Sequence, residues 1–388
     1  MSQPDNYGFG EDAALLKTSA AKFFARHLPV DRLHALVAGS HDPDRRPEAP
    51  WPEALWQQMV DLGWTSLAVP ESAGGLGMPC VAVAGLVEEL GRAAFPCPLL
   101  GTLAASYVLA ECGERAHAAL GEIVDGTAAA LATTDATGAW DPAATGVSYE
   151  GDVLSGCAYF VQDVRKVQRL LVRAAGAEGL RLFWVAVASD GLEVQSDAIV
   201  DLTRDQGRVT FAGVPAQRLG DAGEAALDRA MPALWTLLAA DIAGAAEWLL
   251  QTSVEYARSR QQFEHPLGFF QAVKHPLVDV MSSIDATRSL LYSAACAIDH
   301  EPGRARQLAH MAQASACVTA ACSAGRAVQT HGGIGFTWEC YVHLYFKRQK
   351  HSEVLWGDAA WHRARLAEIL LGDAAAAGRS AQGAEAAA

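Results

Sequence analysis

Residues 328–339 read VQTHGGIGFTWE and residues 255–275 read EYARSRQQFEHPLGFFQAVKH. The first stretch has the makings of an anion site. Gln329 offers a side-chain hydrogen bond, and Gly332 and Gly333 let backbone N–H groups approach an anion with no Cβ in the way. A pyrophosphate suits such a place, and an ordinary glycine turn at a helix end is the competing interpretation. The second stretch carries Arg260, a residue type whose charge-assisted bonds to phosphate are among the stronger polar contacts.

Around these stretches the chain changes texture twice. From Glu11 to about Gly126, apolar residues recur at three and four spacing through 13–28, 54–62, 81–93 and 103–120, which predicts helices rich in Ala and Leu. Between about 128 and 217, short apolar runs at 129–132, 159–161, 170–173, 182–187 and 208–211 alternate with Gly, Asp and Thr turns, which predicts strands. After Gly223 the helical pattern returns over about 226–262, 271–298, 304–329 and 340–371. The tail from Asp373, made of Ala, Gly and Ser, has little bulky surface to pack and is expected to fray. The expected organisation is α+β: an all-α domain over 1–127, a β-domain over 128–218 as a barrel or sandwich, a four-helix bundle over 219–372, and a flexible tail over 373–388.

Composition narrows the function. At 388 residues and 51% hydrophobic content the chain can build two or three sizeable cores. A net charge of −14 argues against a nucleic-acid or anionic-membrane partner, both of which require clustered cations. It says little about a small phosphorylated ligand, whose few phosphates need only local basic residues. The eight cysteines show no CxxC pair and no His spacing for zinc, so reduced thiols and no metal are expected. The N-terminal residues carry acids and no apolar leader, and no apolar run long enough to span a bilayer stands out; a cytoplasmic location is expected.

Several motifs in order resemble the acyl-CoA dehydrogenase family. LGWTSLAVPESAGGLGM (62–78) followed by VEELGR (87–92) is similar to its entry segment. The Arg260 stretch is similar to its arginine–x–x–phenylalanine–glycine element with a downstream glutamine. VQTHGGIGFTWE, HLYFKR (343–348) and LWGDAAWHRARLAEIL (355–370) follow in the family's order. The resemblance implies FAD as cofactor. Arg260, Gln262 and Phe263, with Gln271, Gln329, Gly332 and Gly333, would hold the adenine-diphosphate half of a neighbouring subunit's FAD. Phe160 and Gln162, within CAYFVQDV (157–164), stand where the family offers tryptophan and threonine to the flavin, and Asp358 stands where a threonine approaches it. The chain departs from the pattern at Glu264, which replaces the element's glycine, and in TTDATGAWDPAATG (133–146), which lacks the usual Gly-and-Ser anion cradle.

The largest departure concerns the proton. Acyl-CoA dehydrogenation needs a carboxylate to take the α-proton while the β-hydrogen leaves as hydride to the flavin. The family places that glutamate immediately before the glycine that is Gly357 here, or at a position on the first long C-terminal helix that aligns with Leu234; this sequence has Trp356 and Leu234. Asp241, seven residues after Leu234 and on nearly the same helical face, is the remaining candidate base, with a structural aspartate as the bland interpretation. Glu353 reads as a solvated or salt-bridged side chain.

GDxxxHR at 357–363 resembles bacterial acyl-CoA dehydrogenases that assemble as two unlike subunits and degrade steroid side chains. The resemblance implies an acyl-CoA substrate, a homologous partner subunit in an α2β2 heterotetramer, and an electron-transfer flavoprotein as acceptor. The alternatives are a homotetramer using Asp241 as base, a non-catalytic flavin-binding or assembly protein on the same fold, and a monooxygenase using reduced flavin and O₂.

Overall fold

The computed structural model describes residues 4–38, 51–140, 144–220 and 223–385, with side chains as far as Gly372. Helices α1 (Glu11–His27), α2 (Val30–Val37), α3 (Glu53–Asp61), α4 (Cys80–Arg92), α5 (Leu99–Glu111) and α6 (His117–Val124) come first. Strands β1 (Ala129–Ala132), β2 (Val147–Glu150), β3 (Val153–Gln162), β4 (Arg169–Gly176), β5 (Gly179–Ala186), β6 (Leu192–Ser196), β7 (Gln206–Pro215) and β8 (Gln217–Arg218) follow. Then come α7 (Gly223–Ser259), a short hairpin of β9 (Gln261–Gln262) and β10 (His265–Pro266), and helices α8 (Gln271–His300), α9 (Pro302–His331), α10 (Val342–Ser352) and α11 (Ala359–Glu385). This is the acyl-CoA dehydrogenase type of architecture expected from the sequence: helices, a middle sheet, then a helical bundle.

Four local expectations are corrected. The run over 103–120 is cut by a 3₁₀ turn, Gly113–Ala116, where Gly113 takes a positive φ that ends α5. The run over 340–371 is two helices, because Trp356 at φ 54° and Gly357 at φ 118° leave helical geometry between α10 and α11. The tail expected to fray from Asp373 continues as helix to Glu385. Finally, α7 is long and apolar enough by length and composition to cross a bilayer, yet most of that stretch is buried in the core, which accounts for its composition without a membrane.

The central packing element is α7, which is flanked by α4 and α5 on one side and by α8, α9 and α10 on the other. Two glycines allow the closest crossing: a Cβ on Gly91 of α4 would stand 2.0 Å from the Asp241 carbonyl oxygen, and one on Gly244 of α7 would stand 1.8 Å from the Glu88 carbonyl oxygen. Trp248 of α7 stacks on Tyr345 of α10 at 3.7 Å, and the Tyr345 hydroxyl donates to the Arg92 carbonyl at 2.8 Å, so three helices are tied at one point. Helices α8 and α9 run antiparallel, in a register fixed by hydroxyl pairs Ser283–Thr319 at 2.6 Å and Thr287–Ser315 at 2.7 Å.

The main sheet has the order β6-β7-β3-β2-β4-β5-β8, with β1 parallel to β4. In β3 the pairing with β7 slips between Ala158 and Val161, and Phe160 takes a positive φ of 56°. Such a bulge re-aims a side chain. Here Phe160 faces a cavity between the sheet and the C-terminal helices.

Candidate functional site

The residues predicted to hold a cofactor separate into two places. Arg260, Gln262, Phe263, Gln271, Gln329, Gly332 and Gly333 gather at one end of the bundle. There Tyr256, in the last turns of α7, stacks on His331, the last residue of α9, at 4.4 Å. The antiparallel register brings Gln271, the first residue of α8, to the same end. These seven side chains or glycines are exposed, with Phe263 at 84%. Phe263 and Glu264 form the two-residue turn of the β9–β10 hairpin at φ 53° and 65°. Both conformations favour glycine, so Glu264 is strained where the family has its glycine. Gly332 takes φ 65° and has open space where a Cβ would stand, as does Gly333. The anion approach expected of that turn is sterically free.

Phe160, Gln162 and Trp356 lie elsewhere, in the wall of a cavity of about 720 Å³ between the sheet and α10. Its size and its aromatic lining of Trp140, Phe160, Phe346 and Trp356 suit a flat ring system such as a flavin. Its polar groups, however, are largely engaged. Gln162 Nε2 donates to the Phe160 carbonyl at 3.1 Å and to Gln206 Oε1 at 2.8 Å, while its Oε1 accepts from His351 Nε2 at 2.8 Å. Burial pushes the His351 imidazole down to about 4, so it is neutral at pH 7. Asp358, expected beside the flavin, lines neither this cavity nor the next. It caps α11 by accepting from the Trp361 backbone N–H at 2.8 Å.

The loop with no anion cradle closes on itself. Asp135 accepts from the Thr137 backbone at 2.9 Å, and Trp140 Nε1 donates to the Val354 carbonyl at 3.0 Å, pinning the loop to the α10–α11 link. Residues 141–143 lie outside the described residues. A carboxylate at Asp135 adds repulsion toward a phosphate. The fit to FAD is therefore divided: a cavity with room for a ring and an exposed surface carrying Arg260 and the Gly332 turn lie at separate places, and the loop at 133–146 has no Gly-and-Ser cradle.

A second cavity, of about 460 Å³, adjoins the first. Leu131, Thr133, Thr134, Trp140 and Trp356 form the wall common to both. Leu234 and Trp356, the two positions where the sequence resemblance leads one to expect a base, both line this second cavity, and both are apolar. Trp356 is fixed there by Trp235, whose Nε1 donates to its carbonyl at 3.0 Å. The acids on the wall, Glu224 and Asp228, lie roughly 15 Å and 9 Å back along α7 from Leu234 by helical rise. Both are exposed, and Asp228 pairs with Arg306 at 2.7 Å.

Asp241 lines neither cavity. It is fully buried, with one oxygen bound by Arg348 and the other by Arg204 at 2.6 Å. Arg204 also approaches Asp201 at 3.7 Å, so two arginines and two aspartates balance in charge inside the protein. Burial by itself would raise the Asp241 carboxyl; Arg348 and Arg204 together outweigh it and hold the group below its usual range. This geometry is that of a structural ion pair and leaves Asp241 without access to substrate. Glu353 pairs with Lys350 at 2.9 Å.

Sequence reasoning did not find Arg204, Arg348 or Ser352 as partners of Asp241, nor the roles of Trp140, Trp235 and His351. Arg204 sits 37 residues before Asp241 and Arg348 107 residues after it, so no local spacing joins them.

The comparisons with known proteins agree with the fold. Residues 10–120 match the acyl-CoA dehydrogenase N-terminal domain and residues 233–371 its C-terminal domain. The chain is 30% identical to the acyl-CoA dehydrogenase IpdE2 of Mycobacterium tuberculosis over 89% of this chain and 93% of that one. Among solved structures it is similar to a variant of the Tcur3481-Tcur3483 steroid ACAD, at 32% identity and a TM-score of 0.84, covering 95% of this chain and 99% of that one. It is also similar to the ChsE4-ChsE5 complex of Mycobacterium tuberculosis, at 26% identity and a TM-score of 0.83, covering 94% and 98%. The chain belongs to the acyl-CoA dehydrogenase family of FAD-dependent oxidoreductases.

Proposed function

We propose that this chain is the base-lacking subunit of a heteromeric acyl-CoA dehydrogenase acting on bulky CoA esters, steroid side chains among them. One observation carries the reading: at the cavity where an α-proton must be taken, the two family seats for the base are Trp356 and Leu234. FAD supplies hydride acceptance from the β-carbon when bound. In this chain, Arg260, Gln262, Phe263, Gln271, Gln329, Gly332 and Gly333 hold the adenine-diphosphate half of a partner subunit's FAD. Their exposure at one end of the bundle supports that role, because groups meant for a neighbour's ligand are open in the isolated chain.

The similarity to a steroid ACAD and to the ChsE4-ChsE5 complex supports a bulky substrate and an unlike partner. Electron-transfer flavoprotein is the acceptor and the cytoplasm the location in this reading. A homotetramer using Asp241 as base is disfavoured, because both carboxylate oxygens are held by arginines. Purification from the native host followed by native mass determination tests the assembly. The reading expects two unlike subunits of similar size with bound FAD; a homotetramer that turns over acyl-CoA would refute it.

A further inference from the structure

The wall of the second cavity contains His310, which is paired behind that wall with a second buried imidazole, His362, and the reading above uses neither. His310 of α9 and His362 of α11 face each other Nδ1 to Nδ1 at 2.8 Å, and they are 2% and 0% exposed. Only one of two facing nitrogens can carry the proton, so the second nitrogen of one ring decides the tautomer of both. That nitrogen is Nε2 of His362. Burial first, then His310, hold the His362 imidazole down at about 3, so the ring is neutral; its Nε2 is enclosed, makes no hydrogen bond of normal geometry, and lies against the backbone of Trp356 and Gly357, where carbonyl oxygens favour N–H over a lone pair. A Cβ on Gly357 would stand 2.7 Å from it, and Gly357 holds φ 118°, so the backbone approach depends on glycine there.

With Nε2 of His362 protonated, its Nδ1 is a lone pair that accepts from Nδ1–H of His310. The Nε2 of His310 is then an unprotonated acceptor. It has no partner among the described residues and, unlike that of His362, is not sealed off. The groups around it keep it neutral: burial first, then Arg306 of α9 and Arg365 of α11, hold the His310 imidazole down at about 4. Trp235 of α7 lies against it at 4.3 Å and Trp361 of α11 at 5.8 Å. His310 thus brings a hydrogen-bond acceptor to a cavity whose wall combines Trp140, Trp235, Trp356, Trp361, Leu234 and Met231 with a charged part formed by Arg173, Arg306, Arg365, Glu224 and Asp228.

We propose that His310, fixed in one tautomer by His362, is a specificity-determining residue of the second cavity and selects an apolar ring ligand that carries a hydroxyl group. The hydroxyl donates to Nε2 of His310, while the ring packs against the tryptophans. A ring without the hydroxyl leaves that acceptor desolvated and unpaired, which is the stronger basis for discrimination. This deepens the acyl-CoA reading by naming what the acyl cavity prefers. Its test uses free ring compounds without CoA, so it can fail while that reading stands, and it can hold if turnover is never found.

The full-length chain as purified is titrated with 1-indanol and with indane by ligand-observed NMR. The alcohol is expected to bind about two- to tenfold tighter, the range of one net hydrogen bond, and His310→Phe is expected to erase the difference. Equal affinities in the unsubstituted chain, or a preference unchanged in His310→Phe, would overturn the proposal. If that variant does not fold, the imidazole ¹⁵N spectrum of the unsubstituted chain decides. The Nε2 resonance of His310 should be that of an unprotonated nitrogen and should move with 1-indanol but not with indane. A protonated Nε2, or no movement, would overturn it.

Discussion

The free end of the bundle and the α10–α11 link show opposite states of one inherited site. At the end of the bundle, Arg260, Phe263, Gln329 and Gly332 stand exposed, and the Arg260 side chain makes no ion pair among the described residues. At the link, Trp356 is wedged between two cavities, Asp358 serves as a helix cap, and Asp241 behind it is bound by two arginines. The first region spends little on the chain's own stability, as the proposed role toward a neighbour requires. The second has exchanged acid chemistry for packing. Together they support the proposal that the functional unit lies between chains rather than within this one.

Substitutions can break or sharpen that contrast. Asp241→Asn removes one member of a buried, charge-balanced set and should cost about 3–5 kcal/mol, read as a large fall in denaturation midpoint. If Asp241 were instead a base with slack in its surroundings, stability would hold and only activity would fall. The carboxyl is held below its ordinary value of 3.8, so its contribution is complete above that pH and is lost as pH falls through the lower folded value.

Gly357→Ala should cost about 2–4 kcal/mol. It combines a φ of 118° with a Cβ that would stand 2.6 Å from Trp361 Cε3, and thermal melting checks it. Arg260→Ala should leave stability unchanged and weaken FAD retention in the assembled enzyme by about 10–100-fold, as expected for a lost charge-assisted bond; flavin absorbance after gel filtration reads it. An unaltered FAD content would remove the free end from cofactor binding. Glu264→Gly should relieve about 1 kcal/mol of left-handed strain in the hairpin and remove a negative charge four residues from Arg260, giving slightly tighter FAD if the proposed adenine-diphosphate site is there.

The last effect concerns acid. Burial holds the His351 imidazole at about 4 against an ordinary 6.5, so the unfolded chain takes the proton first and stability falls as pH drops from 6.5 towards 4. His351→Gln should flatten that slope in a series of melts. An unchanged slope would assign the acid sensitivity to the other buried imidazoles.

Much of the fold was legible in the sequence because period and turn chemistry are local. The runs at 129–132, 271–298 and 304–329 foretold β1, α8 and α9 to within a few residues. The break at Trp356 and Gly357 escaped because it is a change of φ inside an otherwise helical pattern. The strands β2 and β6 escaped because they are short and half exposed, with burial that alternates rather than forming an apolar run. At the site, the absence of an acid at positions 234 and 356 could be read directly from the motifs. The fate of Asp241 could not, since Arg204 and Arg348 reach it across the tertiary structure. Nor could the pairing of His310 with His362, 52 residues apart, which depends on how α11 packs against α9.

The most direct test of the central claim is anaerobic mixing of the isolated chain, with FAD added, with a panel of acyl-CoA esters, steroid side-chain esters included, while flavin absorbance is followed. With no carboxylate to take the α-proton, the flavin should keep its oxidised spectrum, and bleaching should begin only when the unlike subunit is added. Rapid bleaching in the isolated chain would contradict the account, because some group in this chain would then be removing the proton.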